Sequence, residues 1–151
     1  MTRRAATTPP PSPPASADDI ETQFYEALRR GDLEAVMAVW SDDEDISCVH
    51  PGGARLVGPG AIRASFAAIF RNGAIDARPE QVRRLQSHAC AVHSVLERVQ
   101  AAGSSGVQPA WVLATNVYVH GAQGWRLVAH HASPATGAAV PELPEARSTL
   151  H

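Results

Sequence analysis

The apolar residues of this chain change their spacing once, and that change limits the fold more than any other feature. Between residues 20 and 70 they recur at helical intervals. Ile20, Phe24, Ala27 and Leu28 form one stripe, Leu33, Val36, Met37 and Trp40 a second, and Ile62, Phe66, Ile69 and Phe70 a third. From about Gln81 onward the chain reads as strands, with runs at 81–86, 89–99, 111–120 and 125–133. Turns fall between them at Ser87-His88, Gly103-Ser104-Ser105-Gly106 and Gly121-Ala122-Gln123-Gly124. Helices first and hairpin-linked strands afterwards predict an α+β fold, with three N-terminal helices packed on one face of a curved antiparallel sheet.

The punctuation agrees. Ser16 or Asp18 can cap the first helix and Gly31 can end it, and Asp32 can cap the second. Gly58-Pro59-Gly60 leads into the third, with Gly73 beyond its end. Residues 1–17 hold Pro, Ala, Ser and Thr and little to bury, so they predict a disordered tail. Residues 134–151 predict a loosely ordered one, which leaves a single folded domain over 18–133.

Composition narrows the function classes. A formal net charge of −2 argues against a nucleic-acid partner. No apolar run approaches the roughly 20 residues of a membrane span, and Arg3 and Arg4 precede no apolar stretch of a secretory signal. Cys48 and Cys90 form no CxxC pair and suit a reducing, cytoplasmic setting. All 13 basic residues are Arg, which with the abundant Ala, Pro and Gly points to a GC-rich bacterial genome.

One turn stands out. The short run Ile46-Ser47-Cys48-Val49 ends in His50-Pro51-Gly52-Gly53, and Ala54 to Val57 follows at once. Pro51 fixes φ and removes a donor, while Gly52 and Gly53 allow positive φ, so the turn needs no imidazole. His50 shares its parity with Ile46 and Cys48 and is expected at the mouth of an interior pocket, with a hydrogen-bond partner for its ring.

The stretches "FYEALRRGDLEAVMAVWSDDEDISCVHPGG", "LVGPGAIRASFAAIF" and "ATNVYVHGAQGWRLVAHHASP" resemble SnoaL-like members of the nuclear-transport-factor-2-like superfamily, over about residues 20–134. The resemblance implies a cone: helices over a strongly bent sheet, an apolar pocket inside, and a dimer across the outer sheet face. It does not imply one activity. The superfamily holds ketosteroid isomerases, polyketide cyclases, dehydratases and epoxide hydrolases, and also subunits that only associate or carry cargo.

By that resemblance the isomerase positions fall on Phe24, His50 and Thr115. A phenyl ring cannot donate to an oxyanion, and Tyr25 lies about 100° further round the helix. No Asp or Glu stands between Glu97 and Glu142, so the late carboxylate of the cyclases and epoxide hydrolases has no counterpart. Histidines remain. Alternation from Leu127 puts Ala129, His131 and Ser133 on one face and His130 on the other. The candidate acid/base residues are therefore His50 and His131, in an apolar pocket of Trp40, Cys48, Phe66, Phe70, Trp111, Thr115, Val117 and Ala129.

The same residues also read as ordinary core, with His50 bonded to the turn backbone. A small-molecule pocket, isomerase- or lyase-type, and a non-catalytic dimeric association or ligand-binding domain thus both stay open. Asn116, Tyr118 and His130 are expected on the outer face, in a homodimer contact. No cofactor is expected. Cys48, His50, His93 and His131 lack the ligand spacing of a zinc site, Asp42–Asp45 does not match a calcium loop, and Arg83-Arg84 reads as solvated strand edge.

Overall fold

A computed structural model describes residues 16–100 and 108–135. The expectations for the two tails beyond these limits, and for the turn at 103–106, lie outside the described residues. Helix α1 spans Ala17–Arg30, capped by the Ser16 hydroxyl, which accepts from the Asp19 N–H, and ended by Gly31 at φ 63°. Helix α2 spans Leu33–Val39, where Asp32 Oδ1 accepts from the Ala35 N–H at 3.0 Å. Helix α3 spans Pro59–Phe70 and has no side-chain cap; Pro59 supplies its preset φ instead.

Six strands follow the expected order: β1 Ser47–Val49, β2 Arg55–Val57, β3 Asp76–Gln86, β4 Cys90–Gln100, β5 Ala110–Gly121 and β6 Gly124–Pro134. β3 starts five residues before the run read from sequence, because its first half, Asp76 to Glu80, mixes charge and Pro79 with only Ala77 to bury. The sheet order is β2-β1-β6-β5-β4-β3. It is mixed rather than wholly antiparallel, since β1 runs parallel to β6 with Cys48 opposite His130. That pairing begins earlier in the chain, where Trp40 bridges Leu127 and the Ser41 N–H donates to the Leu127 carbonyl at 2.9 Å.

Helix α1 packs on β3 and β6, and α2 joins it to α3. Phe24, Tyr25, Val36, Val39, Ile46, Ile62, Phe66 and Leu127 are buried between helices and sheet. At roughly 25 cal/mol per Å2 of apolar surface, such side chains contribute about 1.5–3 kcal/mol each. A second, smaller apolar cluster of Val112, Ala114 and Ala132, with Val99 against it, lies further along the sheet.

Two irregularities set which side chains face the core. On β3 the pairing with β4 shifts between Glu80 and Arg83, with Gln81 at φ 45°. On β6 Val128 is an extra residue: Leu127 pairs with Tyr118 and Ala129 with Val117. Such a bulge bends the strand and reverses the alternation beyond it. Beyond Val128, His130 and Ala132 are buried and His131 is exposed. The expected assignment of faces is therefore corrected. Asn116, Tyr118 and His130 lie inside, while Thr115, Val117, Ala129 and His131 lie on the outer face. The error on β5 follows from that on β6, because Val117 pairs with Ala129 and Thr115 with His131.

Candidate functional site

Register places Cys48, His130, Asn116 and His93 in one row across the inner face, one from each of four neighbouring strands. Helix α1 lies over that row. Its buried face is wide, because it meets α2 as well as β3 and β6, and so takes in Glu21, Phe24 and Tyr25 together. Glu21 and Tyr25, one turn apart, project the same way. The placement of Tyr25 outside the site, read from its angular offset, is corrected by this: both Phe24 and Tyr25 are inside.

A directional chain of hydrogen bonds starts in the row and ends on β4. His130 Nδ1–H donates to Asn116 Oδ1 at 2.5 Å, Asn116 Nδ2 donates to the Tyr25 hydroxyl at 3.0 Å, and Tyr25 donates to Glu97 Oε2 at 2.6 Å. The Asn116 amide links the two sides, accepting from His130 and donating to Tyr25. All four residues are buried. Burial holds the Glu97 carboxyl up, from 4.5 to about 7, against the lowering effect of the Tyr25 bond. Burial, with Glu97 beside it, holds the Tyr25 phenol well above 10. Burial, followed by the nearby His50 and His131, drops His130 to about 3, so its ring is neutral and keeps on Nδ1 the proton that it donates to Asn116 Oδ1. With Oε2 occupied by Tyr25, the proton of a neutral Glu97 resides on Oε1, where no described residue bonds it.

His50, the residue after β1, adjoins this group through Phe66 and Phe24. Its ring meets Phe66 edge to face at 5.0 Å, and Phe66 in turn meets Phe70 at 6.0 Å and Phe24 at 6.3 Å. Phe24 lies 5.3 Å from the His130 ring. Nε2 of His50 lies 3.0 Å from Ser65 Oγ and 3.8 Å from Cys48 Sγ. Burial lowers the pKa of His50, which leaves a neutral imidazole, and raises the Cys48 thiol to about 12. The turn after His50 uses one positive φ, not two. Gly52 sits at 73°, and the Gly53 N–H donates to the His50 carbonyl at 2.8 Å, a type II turn with proline second.

The structure thus brings together His50, Cys48, Phe66 and Phe70 of the residues picked from sequence. Trp40 is buried nearby in the main core, its Nε1 without a partner among the described residues. Trp111, Thr115, Val117, Ala129 and His131 are not part of the group. His131 instead borders a depression of about 560 Å3 with Ser47, Val49, Gly53, Arg55 and His130. Tyr25, Glu97, Asn116 and His130 were missed. The signal for Glu97 was its parity: Ala91, His93 and Val95 precede it at even spacing on a buried face.

A second buried cluster lies one turn back along α1. Glu21 Oε2 accepts from the Tyr118 hydroxyl at 2.8 Å and lies 2.7 Å from His93 Nδ1, and Asp18 brings a third potential metal ligand within 4.8 Å. Arg84 already holds Asp18 at 2.7 Å, so these groups are occupied with one another, and His93 Nε2 is buried without a partner among the described residues.

A profile of SnoaL-like domains matches residues 18–137. The chain belongs to the SnoaL-like domain family. Solved structures agree with this in fold. A proposed calcium/calmodulin-dependent protein kinase type II association domain from Thiobacillus denitrificans is 33% identical, covering 80% of this chain and 95% of its own, with a TM-score of 0.73. A proposed dehydratase of the NTF2-like family from Streptomyces avermitilis is 34% identical, covering 78% and 92%, with a TM-score of 0.70. A cystatin-like-fold protein of unknown function from Nostoc punctiforme, 13% identical over 83% and 98%, shares the fold at a TM-score of 0.66. No curated protein matches the chain. In this SnoaL-like domain no helix among the described residues is long and apolar enough to cross a membrane.

Proposed function

We propose that this SnoaL-like domain binds a small, largely apolar molecule bearing a carbonyl oxygen, and that Glu97, Tyr25 and His50 give it acid/base chemistry of the isomerase or lyase type. The observation that carries the reading is the 2.6 Å Tyr25–Glu97 bond, which ends a directional chain among buried groups. A neutral carboxyl at Glu97, its other oxygen held by the Tyr25 hydroxyl, offers a proton to an oxygen that gains charge, and a neutral imidazole can take one from carbon. In such a step the C–H bond breaks as an N–H bond forms on His50. The electron pair moves toward the carbonyl, and the oxygen receives the proton of Glu97. The relative described as a dehydratase is consistent with chemistry of this class on the same scaffold.

Nitrophenols test this, because a bound phenolate mimics the charged oxygen of an enolate and its absorbance reports ionisation. We expect saturable binding that Glu97→Leu weakens at least about tenfold, or about 1.4 kcal/mol. Absence of binding up to the solubility limit overturns the reading.

Assembly is the second element. The row Leu85, Val92, Val117, Ala129, Ser47, Val57 crosses all six strands on the outer face and is apolar but for one serine. Leu85 is 75% exposed and Leu113, two rows further along β5, 49%. A contiguous apolar strip of this kind favours a homodimer through the outer face, with Thr115, Val117 and His131 in the contact rather than Asn116, Tyr118 and His130. A cytoplasmic dimer, with both thiols reduced, is the state we propose. The relative described as an association domain favours assembly as well. Light scattering is expected to give twice the 16.0 kDa chain mass, and the paired substitution Leu85→Glu, Val117→Glu to return it to one. A wild-type particle of 16.0 kDa at micromolar concentration overturns the dimer.

A further inference from the structure

Ser65 lies on α3 between two fully buried residues, Ile62 and Phe66, and its side chain points toward the end of β1. Its hydroxyl makes two contacts: Oγ is 2.8 Å from the Ile62 carbonyl, three residues back, and 3.0 Å from Nε2 of His50. A hydroxyl has one proton, and a carbonyl oxygen can only accept. The proton of Ser65 is therefore engaged with Ile62, a local back-bond that also fixes the side-chain rotamer. What Ser65 presents to His50 is a lone pair.

From this geometry we infer that Ser65 is a positioning residue, which holds His50 in the tautomer with the proton on Nε2 and leaves Nδ1 as the free basic nitrogen. The alternative polarity puts the proton on Nδ1 and makes Ser65 the donor to Nε2, which takes its one proton away from the Ile62 carbonyl. That breaks the local back-bond of Ser65, so the arrangement is the poorer one. Cys48 Sγ, 3.8 Å from the same Nε2, is a weak acceptor and does not oppose the assignment. The inference rests on the proposed function for its use, since it says which edge of the ring a substrate carbon must approach. Its physical content stands on the two contacts of Ser65.

The test is the state of the His50 ring in the full chain, read by nitrogen-detected NMR, with the seven histidines distinguished by comparison with His50→Asn. At neutral pH wild type is expected to show one tautomer for His50, with Nδ1 unprotonated and a protected Nε2–H signal. Ser65→Ala, which replaces a helix-interior serine by the best helix former and so keeps the fold, is expected to lose the protected signal and average two tautomers. Ser65→Thr, which keeps the hydroxyl, is expected to restore it. A protonated Nδ1 in wild type overturns the inference, as does a protected Nε2–H that survives in Ser65→Ala. Failure of nitrophenol binding with these signals intact refutes the pocket chemistry alone.

Discussion

Replacing Glu97 by Gln separates the electrostatics of the interior from everything else that titrates. The side chain keeps its shape, and its amide oxygen still accepts from Tyr25. Only the charge is removed. In the folded protein burial raises Glu97 from 4.5 to about 7, whereas the unfolded chain releases that proton near the ordinary value. The folded state therefore binds the proton more tightly than the unfolded state. The contribution to stability is complete below about pH 4.5, declines as pH rises, and is lost once pH passes about 7. With about 1.4 kcal/mol per unit, the difference amounts to about 3 kcal/mol. That is a large fraction of the total stability of a single domain.

Urea unfolding followed by tryptophan fluorescence measures it, in wild type and Glu97→Gln side by side, from about pH 4 to about pH 8. Other groups titrate in both proteins and cancel in the difference. We expect the variant to gain on wild type as pH rises, by about 3 kcal/mol across the range, with unchanged m-values. Two curves that run parallel would show that Glu97 ionises in the fold as it does in water. The chain from His130 to Glu97 would then end on an ordinary carboxylate, and the acid half of the proposed chemistry would fall with it.

Two further outcomes follow from the same geometry. His130 has the opposite sign: its folded pKa is about 3 against 6.5, so its contribution is complete above pH 6.5 and is lost as pH falls toward 3. His130→Gln, measured by the same urea series, is expected to remove about 2–3 kcal/mol of the acid-side decline by about pH 4.5; an unchanged decline refutes the burial argument. Gly52 sits at φ 73° with open space where a Cβ would go, so Gly52→Ala is expected to cost about 1 kcal/mol from backbone strain alone, with His50 still on Ser65. A loss of several kcal/mol would show that the turn carries contacts as well as conformation.

Much of the fold was legible because it depends on local signals. Caps at Ser16 and Asp32, the stop at Gly31, and the hairpin at 121–124 all act within a few residues, and all formed where their chemistry predicts. The parallel pairing of β1 with β6 was not legible, because nothing local records which distant strand a three-residue strand will join. The site suffered from a single extra residue. Leu127 was a sound anchor for the inner face, but Val128 bulges, and strict alternation beyond it reverses His130 and His131. No turn residue marks that bulge. The side of the sheet on which His50 lies was recoverable because the parity of Ile46, Cys48 and His50 holds over a short, regular segment. Tyr25 was not, since a one-stripe picture of α1 has no place for a helix buried by three neighbours.

The buried polar groups also bear on how α1 finds its place. Glu21, Phe24 and Tyr25 each meet a partner on the sheet: Tyr118 and His93 for Glu21, the His130 ring for Phe24, Glu97 and Asn116 for Tyr25. The hydrogen-bonded partners are 72 to 97 residues away in sequence, so none of these contacts exists until the sheet is formed. Apolar packing alone discriminates poorly among rotations of a helix whose buried face is this wide. A turn of one residue, about 100°, would instead strand Glu21 and Tyr25 in the core and leave Glu97, His93 and Tyr118 without them. Each buried group so deprived costs about 1–3 kcal/mol, more for a charged one. The same side chains that fix the helix on the sheet are those that place the Glu97 proton. A substitution at Tyr25 is therefore expected to disturb helix registry and site chemistry together, while one at Glu97 that keeps an acceptor disturbs the chemistry alone.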